Sequence, residues 1–276
     1  MKGFASLSLI ISIVFSFCFC DGIDVTDHTQ LALVDRSRAT FRNGTVYDLD
    51  DITTTMLDAF GAADDFRYML PELEQHRNYT WYCCREKFRN GWSNPSWNGA
   101  VKVVAVSQDG TKEERVVSFG IWARVVTRKD SERHAASFWD PFYSLTLNGP
   151  SMSLDDKQPP YDCSDGLGGA NATRVKYVES QLSQAQKDLV DPIGRYYELK
   201  LLATHPTWDG HGFAAMSVKW GLEMAKHLRV PAIVMSSREG FNLYQSLGFE
   251  TLKNISIPKL EGPGHLLYHL MKHESF

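Results

Sequence analysis

The chain has 276 residues, 43% of them apolar, and a formal net charge of −4. That length and apolar content can bury one substantial core, which predicts a single domain with a decorated middle. The acidic balance leaves no basic footprint, so nucleic acid is not an expected partner, and neither an internal repeat nor a P-loop occurs.

At the N-terminus, Lys2 precedes an apolar run from Phe4 to Phe19, with the small residues Cys18 and Cys20 where a signal peptidase requires them. Residues 1–20 therefore read as a secretory signal peptide. The run is short for a span of about 20 residues, so an uncleaved anchor is the second choice, and a membrane is a partner only in that case. Lys2 before the run and Asp21, Asp24 and Asp27 after it place the body on the lumenal side either way. Four glycosylation sequons, at Asn43, Asn78, Asn171 and Asn254, point in the same direction. The cysteines point in the other. After cleavage Cys83, Cys84 and Cys163 remain, an odd number that is not a disulfide framework, and Cys83 and Cys84 are expected to pack as small hydrophobes. A cytoplasmic protein follows if the leader is not functional. No metal-ligand spacing occurs, so no metal is expected.

Residues 31–42 predict an opening strand. Asp48 to Asp51 offer caps for a helix in which Ile52, Met56 and Phe60 share a face. A second helix is expected from Pro71 to Asn90, stopping by Gly91. Ala100–Ser107 and Arg115–Val126, separated by Gln108-Asp109-Gly110-Thr111, predict a β-hairpin. Residues 127–194 break the rhythm and read as an insertion that closes with a helix near Thr173–Leu189. Its aromatic residues Trp139, Phe142 and Tyr143 either wall a pocket or pin the insertion to the core. A strand follows at Glu198–Ala203. Phe213, Met216, Trp220, Met224 and Leu228 then recur at helical spacing until Pro231. Strands Ala232–Ser236, Glu250–Ile257 and His265–Met271 complete the pattern.

Between the strand at Glu198 and the helix at Phe213 runs Thr204-His205-Pro206-Thr207-Trp208-Asp209-Gly210-His211-Gly212. A glycine-rich turn at a helix N-terminus exposes backbone N–H groups that lack intrahelical partners, and the helix dipole adds partial positive charge, so an anion such as a diphosphate can bind there. Gly210, Gly212 and Ala214 allow close approach.

The segment Tyr196 to Phe249 resembles the GNAT superfamily of acyl-CoA-dependent N-acyltransferases, particularly its fungal-type branch with Thr-His-Pro after the central strand. The family's pyrophosphate motif is Gln or Arg, two residues, Gly, one residue, then Gly or Ala. Asp209 to Ala214 occupy those positions, with Gly212 and Ala214 matching and Asp209 departing. A second motif, Leu243-Tyr244-Gln245-Ser246-Leu247-Gly248-Phe249, resembles the family's Leu-Tyr-x-x-x-Gly-Phe signature, and Ser237 stands where many members carry Asn. Weaker likeness extends the domain over residues 34–272. The resemblance implies a mixed, mostly antiparallel α/β sheet flanked by helices. It also implies acetyl-CoA as acyl donor, held by the backbone of Leu202, Ala203 and Thr204, by Gly210, His211, Gly212, Phe213, Ala214 and Ala215, and by Ser237.

Transfer of an acetyl group to an amine needs a neutral amine and a proton for the departing thiolate. The resemblance places the Tyr244 phenol near the sulfur as the proton donor; a core tyrosine is the alternative. Glu198 is the candidate base, four residues before Leu202 and expected on the same strand face, with His205 as the alternative base and a simple ion pair to Arg195 or Lys200 as the structural one. The acceptor is an amine, either a small molecule or a protein. A non-catalytic secretory binding protein on the same fold is the rival function, suggested by Asp209 and Ser237.

Overall fold

The computed structural model describes residues 38–92, 99–107, 113–127, 161, 163 and 169–276. The expected leader, the first part of the opening strand and the aromatic residues Trp139, Phe142 and Tyr143 lie outside them.

Among the described residues seven strands form one sheet: β1 (Ala39–Asn43), β2 (Gly99–Ser107), β3 (Glu114–Val126), β4 (Arg195–Thr204), β5 (Ala232–Ser237), β6 (Glu250–Pro258) and β7 (His265–His273). Their order is β1-β2-β3-β4-β5-β7-β6. Every neighbouring pair is antiparallel except β4 and β5. This is the mixed, mostly antiparallel α/β architecture expected from the motifs. The hairpin of β2 and β3 forms as expected, from two largely apolar strands buried along most of their length.

Among the described residues six α-helices flank the sheet: α1 (Leu49–Phe60), α2 (Asp64–Met69), α3 (Arg77–Trp92), α4 (Ala172–Leu189), α5 (Phe213–Leu228) and α6 (Phe241–Ser246). The first face carries α1 to α4. There Ile52, Leu57 and Phe60 of α1 and Val178 and Leu182 of α4 pack with Phe119, Leu201, Ala203, Ile233 and Met235. The second face carries α5 and α6, where Val218 and Tyr244 pack with Trp122, Tyr197, Leu199, Leu202 and Val234. No helix among the described residues is long and apolar enough to cross a membrane.

Three expectations are corrected. The helix expected over Pro71–Asn90 starts later and runs further: turns occupy 71–76, α3 runs from Arg77 through Gly91 to Trp92, and the separate α2 lies before Pro71. Leu70, which precedes proline, leaves the helical region at φ −121° and ψ 68°, so Pro71 ends α2 rather than starting α3. Of the apolar residues that recur along α5, Phe213 is buried, Trp220, Met224 and Leu228 are only partly buried and Met216 is exposed; the rest of the buried face is made by Ala214, Ser217, Val218, Gly221 and Ala225. Close approach explains this, because a Cβ on Gly221 would lie 2.1 Å from the Trp122 ring and one on Gly120 would lie 2.0 Å from Ser217 Oγ. Finally, Cys83 is not a small core hydrophobe. It forms a disulfide with Cys163 across 80 residues, and only Cys84 of the three stays free and buried. An odd cysteine count is compatible with one bridge and one core thiol, and a pairing that spans the insertion leaves no local spacing to read.

Candidate functional site

The parallel pair β4 and β5 stays in register for only three residues, Tyr197 with Ala232, Glu198 with Ile233 and Leu199 with Val234. Beyond Val234, β5 continues on β7, with Met235 opposite Leu270 and Ser237 opposite Tyr268. β4 continues on β3, with Leu202 opposite Gly120, Ala203 opposite Phe119 and Thr204 opposite Ser118. The two strands therefore diverge into a splay. Along one lip, the β5-facing edge of Leu202 to Thr204 offers backbone groups to a ligand in extended conformation.

A bulge accompanies the splay. On β4, Leu199 pairs with Trp122 and Leu201 with Ile121, which leaves Lys200 as the extra residue. The extra residue reverses the alternation of side chains. Leu202 thus joins the second face with Leu199, whereas Glu198 does not share its face, contrary to the even spacing between them. Glu198 is 1% exposed. Its Oε2 lies 2.5 Å from Lys200 Nζ and its Oε1 accepts from Gln186 Nε2 of α4 at 3.2 Å. A buried carboxylate so held ties α4 to the bulge.

The turn after β4 leads to the N-terminus of α5. Thr204 is buried, its hydroxyl 2.8 Å from Ser118 Oγ, and the His205 N–H donates to Val117 O. Gly210 and Gly212 take φ of +75° and +78°, the left-handed region in which a side chain is strained. Gly212 is the N-cap, and the Met216 N–H returns to its carbonyl at 3.3 Å. The N–H groups of Phe213, Ala214 and Ala215 in the first turn have no intrahelical acceptors. His211 Nδ1 lies 3.1 Å from the Trp208 carbonyl and 2.9 Å from that of Asp209; both oxygens only accept, so Nδ1 carries the hydrogen. The ring also packs on Phe213. Asp209 is the discordant group. Burial pushes its carboxyl up to about 6, with the opposing influence of His211.

Across the splay, α6 places Tyr244 in the second core with Leu199 and Leu202 of β4 and Val234 of β5, residues of both strands at the point of divergence. Tyr244 is wholly buried, edge-on to Phe249 at 5.5 Å. Ser237 ends β5 and is buried, one residue later than the strand expected to stop at Ser236. Leu202, Ala214 and Tyr244 thus share the second core beside the divergence, Ala203 and Thr204 continue β4 past it, and Glu198 is held by Lys200 and Gln186.

His205 has a structural role that its sequence position does not disclose. Its Nε2 meets Asp58 Oδ2 of α1 at 3.1 Å and its Nδ1 meets Thr207 Oγ1 at 2.8 Å. Arg77 of α3 pairs with the other Asp58 oxygen. Asp58 escaped notice because it lies 147 residues from His205, and only its place on the polar side of α1 marks it.

No family model and no curated protein matches the chain. Among solved structures it is similar to the histone acetyltransferase HPA2 and related acetyltransferase from Corynebacterium glutamicum, with TM-score 0.46, 14% identity, 84% of this chain and 95% of that one. It is also similar to mosquito arylalkylamine N-acetyltransferase like 5b, with TM-score 0.49, 12% identity, 85% of this chain and 99% of that one. A third is yncA from Salmonella typhimurium, solved with its cofactor acetyl-CoA, with TM-score 0.42, 12% identity, 87% of this chain and 95% of that one.

Proposed function

We propose that this protein is an N-acetyltransferase that moves an acetyl group from acetyl-CoA to an amine by direct attack, without a covalent enzyme intermediate. One observation carries the reading: the sheet opens between β4 and β5 beside a left-handed glycine turn at the N-terminus of α5. The turn suits the pyrophosphate, and the open edge of Leu202 to Thr204 suits the pantetheine amides. Gly210, His211, Gly212, Phe213, Ala214 and Ala215 would supply the anion site. Ser237 would approach the same ligand from the end of β5.

Tyr244 stands beside the divergence point and is proposed to protonate the departing thiolate. A phenol carries an O–H proton that it can donate to the sulfur as negative charge develops there. Glu198 is proposed as a positioning residue rather than the base, because its ion pair with Lys200 and its bond from Gln186 occupy both oxygens. Addition of acetyl-CoA and a mixture of primary amines tests the reading. Release of free thiol that depends on the amines is expected; release no faster than thioester hydrolysis in buffer refutes it.

Asp209 favours one rival, a binding protein that keeps the fold and has lost the reaction, since a carboxylate beside a diphosphate weakens binding. No acetyl-CoA binding at millimolar concentration, together with no turnover, would select it. For location we propose the secretory pathway. The Cys83–Cys163 disulfide supports an oxidising compartment, and Asn43, Asn78 and Asn254 are exposed where glycosylation requires it, whereas Asn171 caps α4 by accepting the Arg174 N–H. A mobility shift on glycosidase treatment is expected. An unshifted protein with an intact N-terminus would place it in the cytoplasm.

A further inference from the structure

The anion-binding turn and Tyr244 lie on the second face of the sheet, so an acceptor meeting the thioester in the splay must come from the first. There the far lip is formed by Ser237 and its register partner Tyr268 of β7. Tyr268 belongs to the first core with Ile233 and Met235 of β5 and Leu201 and Ala203 of β4. Its hydroxyl is wholly buried and approaches the Asp65 carboxylate without a hydrogen bond of regular geometry, and no other group satisfies it among the described residues. Asp65 lies in the first turn of α2, is 7% exposed, and spends one oxygen on the Phe66 N–H at 2.7 Å. Glu239, in the turn after β5, adds negative charge to both. Burial, reinforced by Glu239, pushes the Asp65 carboxyl up to about 7. Neighbouring cations are engaged elsewhere: Lys259 pairs with Asp64 at 3.0 Å and Arg174 with Glu261. A buried carboxylate beside a second one and an unsatisfied phenol is costly until a cationic donor arrives.

We propose that Asp65, Tyr268 and Glu239 form the acceptor end of the site and select a cationic primary amine, with Asp65 taking the proton that makes it nucleophilic. The assignment rests on the acetyltransferase reading above. A primary ammonium fits because it carries a positive charge for two carboxylates and several N–H donors, and its remaining lone pair appears only after one proton leaves. Asp65 accepts that proton. The nitrogen lone pair then forms the bond to the thioester carbonyl carbon, and the carbon–sulfur bond breaks as the adduct collapses. Sulfur departs with that electron pair and takes a proton from Tyr244, which regains one from the nitrogen; Asp65 returns its own to water. The sum is ammonium plus thioester giving amide, thiol and one proton.

Calorimetric titration with butylamine and phenylethylamine, against pentanoate and phenylpropionate as shape-matched anions, tests this with and without acetyl-CoA. Saturable binding of at least one amine and of neither acid is expected. Asp65→Asn and Glu239→Gln should each weaken amine binding at least about tenfold, the scale of one charge-assisted hydrogen bond, with acetyl-CoA affinity unchanged. Glu239 lies in a half-exposed turn, so its variant keeps the experiment readable if the Asp65 variant fails to fold. Equal binding of acids and amines, no amine binding by the wild type, or undiminished amine binding in the folded variants overturns the proposal. Loss of acetyl-CoA binding by the wild type alone would instead refute the acetyltransferase reading, since the amine titration does not require the donor.

Discussion

Asp209→Asn should tighten acetyl-CoA binding near neutral pH, and the gain should vanish in acid. The Asp209 carboxyl, raised to about 6 by burial, is mostly ionised near pH 7.5 and mostly neutral near pH 5. One carboxylate at roughly 6 Å from one phosphate charge costs about 2.8 kcal/mol at an effective dielectric of about 20. Asp209 is only half buried, so solvent screening lowers this to about 1 kcal/mol, or about fivefold in Kd. The sign follows from the raised pKa: the folded protein holds the proton more tightly than the unfolded chain, so lowering the pH through about 6 removes the charge and the repulsion. Calorimetry at about pH 7.5 and about pH 5, on wild type and variant, isolates the effect. The nucleotide phosphates are common to both proteins and cancel in the comparison. Equal affinities near pH 7.5 would show that the side chain points away from the diphosphate, and an advantage that persists unchanged near pH 5 would show that it does not arise from the carboxylate's charge.

Tyr244→Phe should lower kcat by about 10²-fold or more while leaving acetyl-CoA affinity within about twofold, measured by steady-state kinetics and calorimetry; unchanged kcat removes Tyr244 from proton transfer. Gly221→Ala should destabilise the fold by about 1–3 kcal/mol in chemical denaturation, because the new Cβ would meet the Trp122 ring at 2.1 Å. Cys83→Ser should cost up to about 4.5 kcal/mol, the chain-entropy value for a crosslink spanning 80 residues, and an unchanged denaturation midpoint would show that the bridge constrains little. Because Asp65 holds its proton up to about pH 7 when folded, stability should fall as pH rises from about 4 to about 7, and Asp65→Asn should flatten that slope.

The sheet was legible because β2, β3, β4 and β5 alternate or run apolar between polar turns, and the cradle because Gly210 and Gly212 have one local use beside a helix start. What escaped was non-local. The bulge at Lys200 depends on how β4 pairs with Trp122 and Ile121, and spacing along one strand cannot reveal an extra residue. That one residue separates Glu198 from Leu202 and turns a candidate base into half of an ion pair. Asp65, Glu239 and Tyr268 lie in three separate segments, and their meeting is a product of register between β5 and β7. The Cys83–Cys163 bridge joins α3 to the insertion in the same way.

Thermal unfolding of the protein with increasing acetyl-CoA tests the central claim most directly, since a ligand seated in the splay binds only the folded state. Saturation at about 100-fold over Kd should add about 2.7 kcal/mol of stability, read as a dose-dependent rise in Tm that free CoA reproduces and acetate does not. An unchanged Tm at millimolar acetyl-CoA would contradict the account, because the opening between β4 and β5 would then hold no such donor.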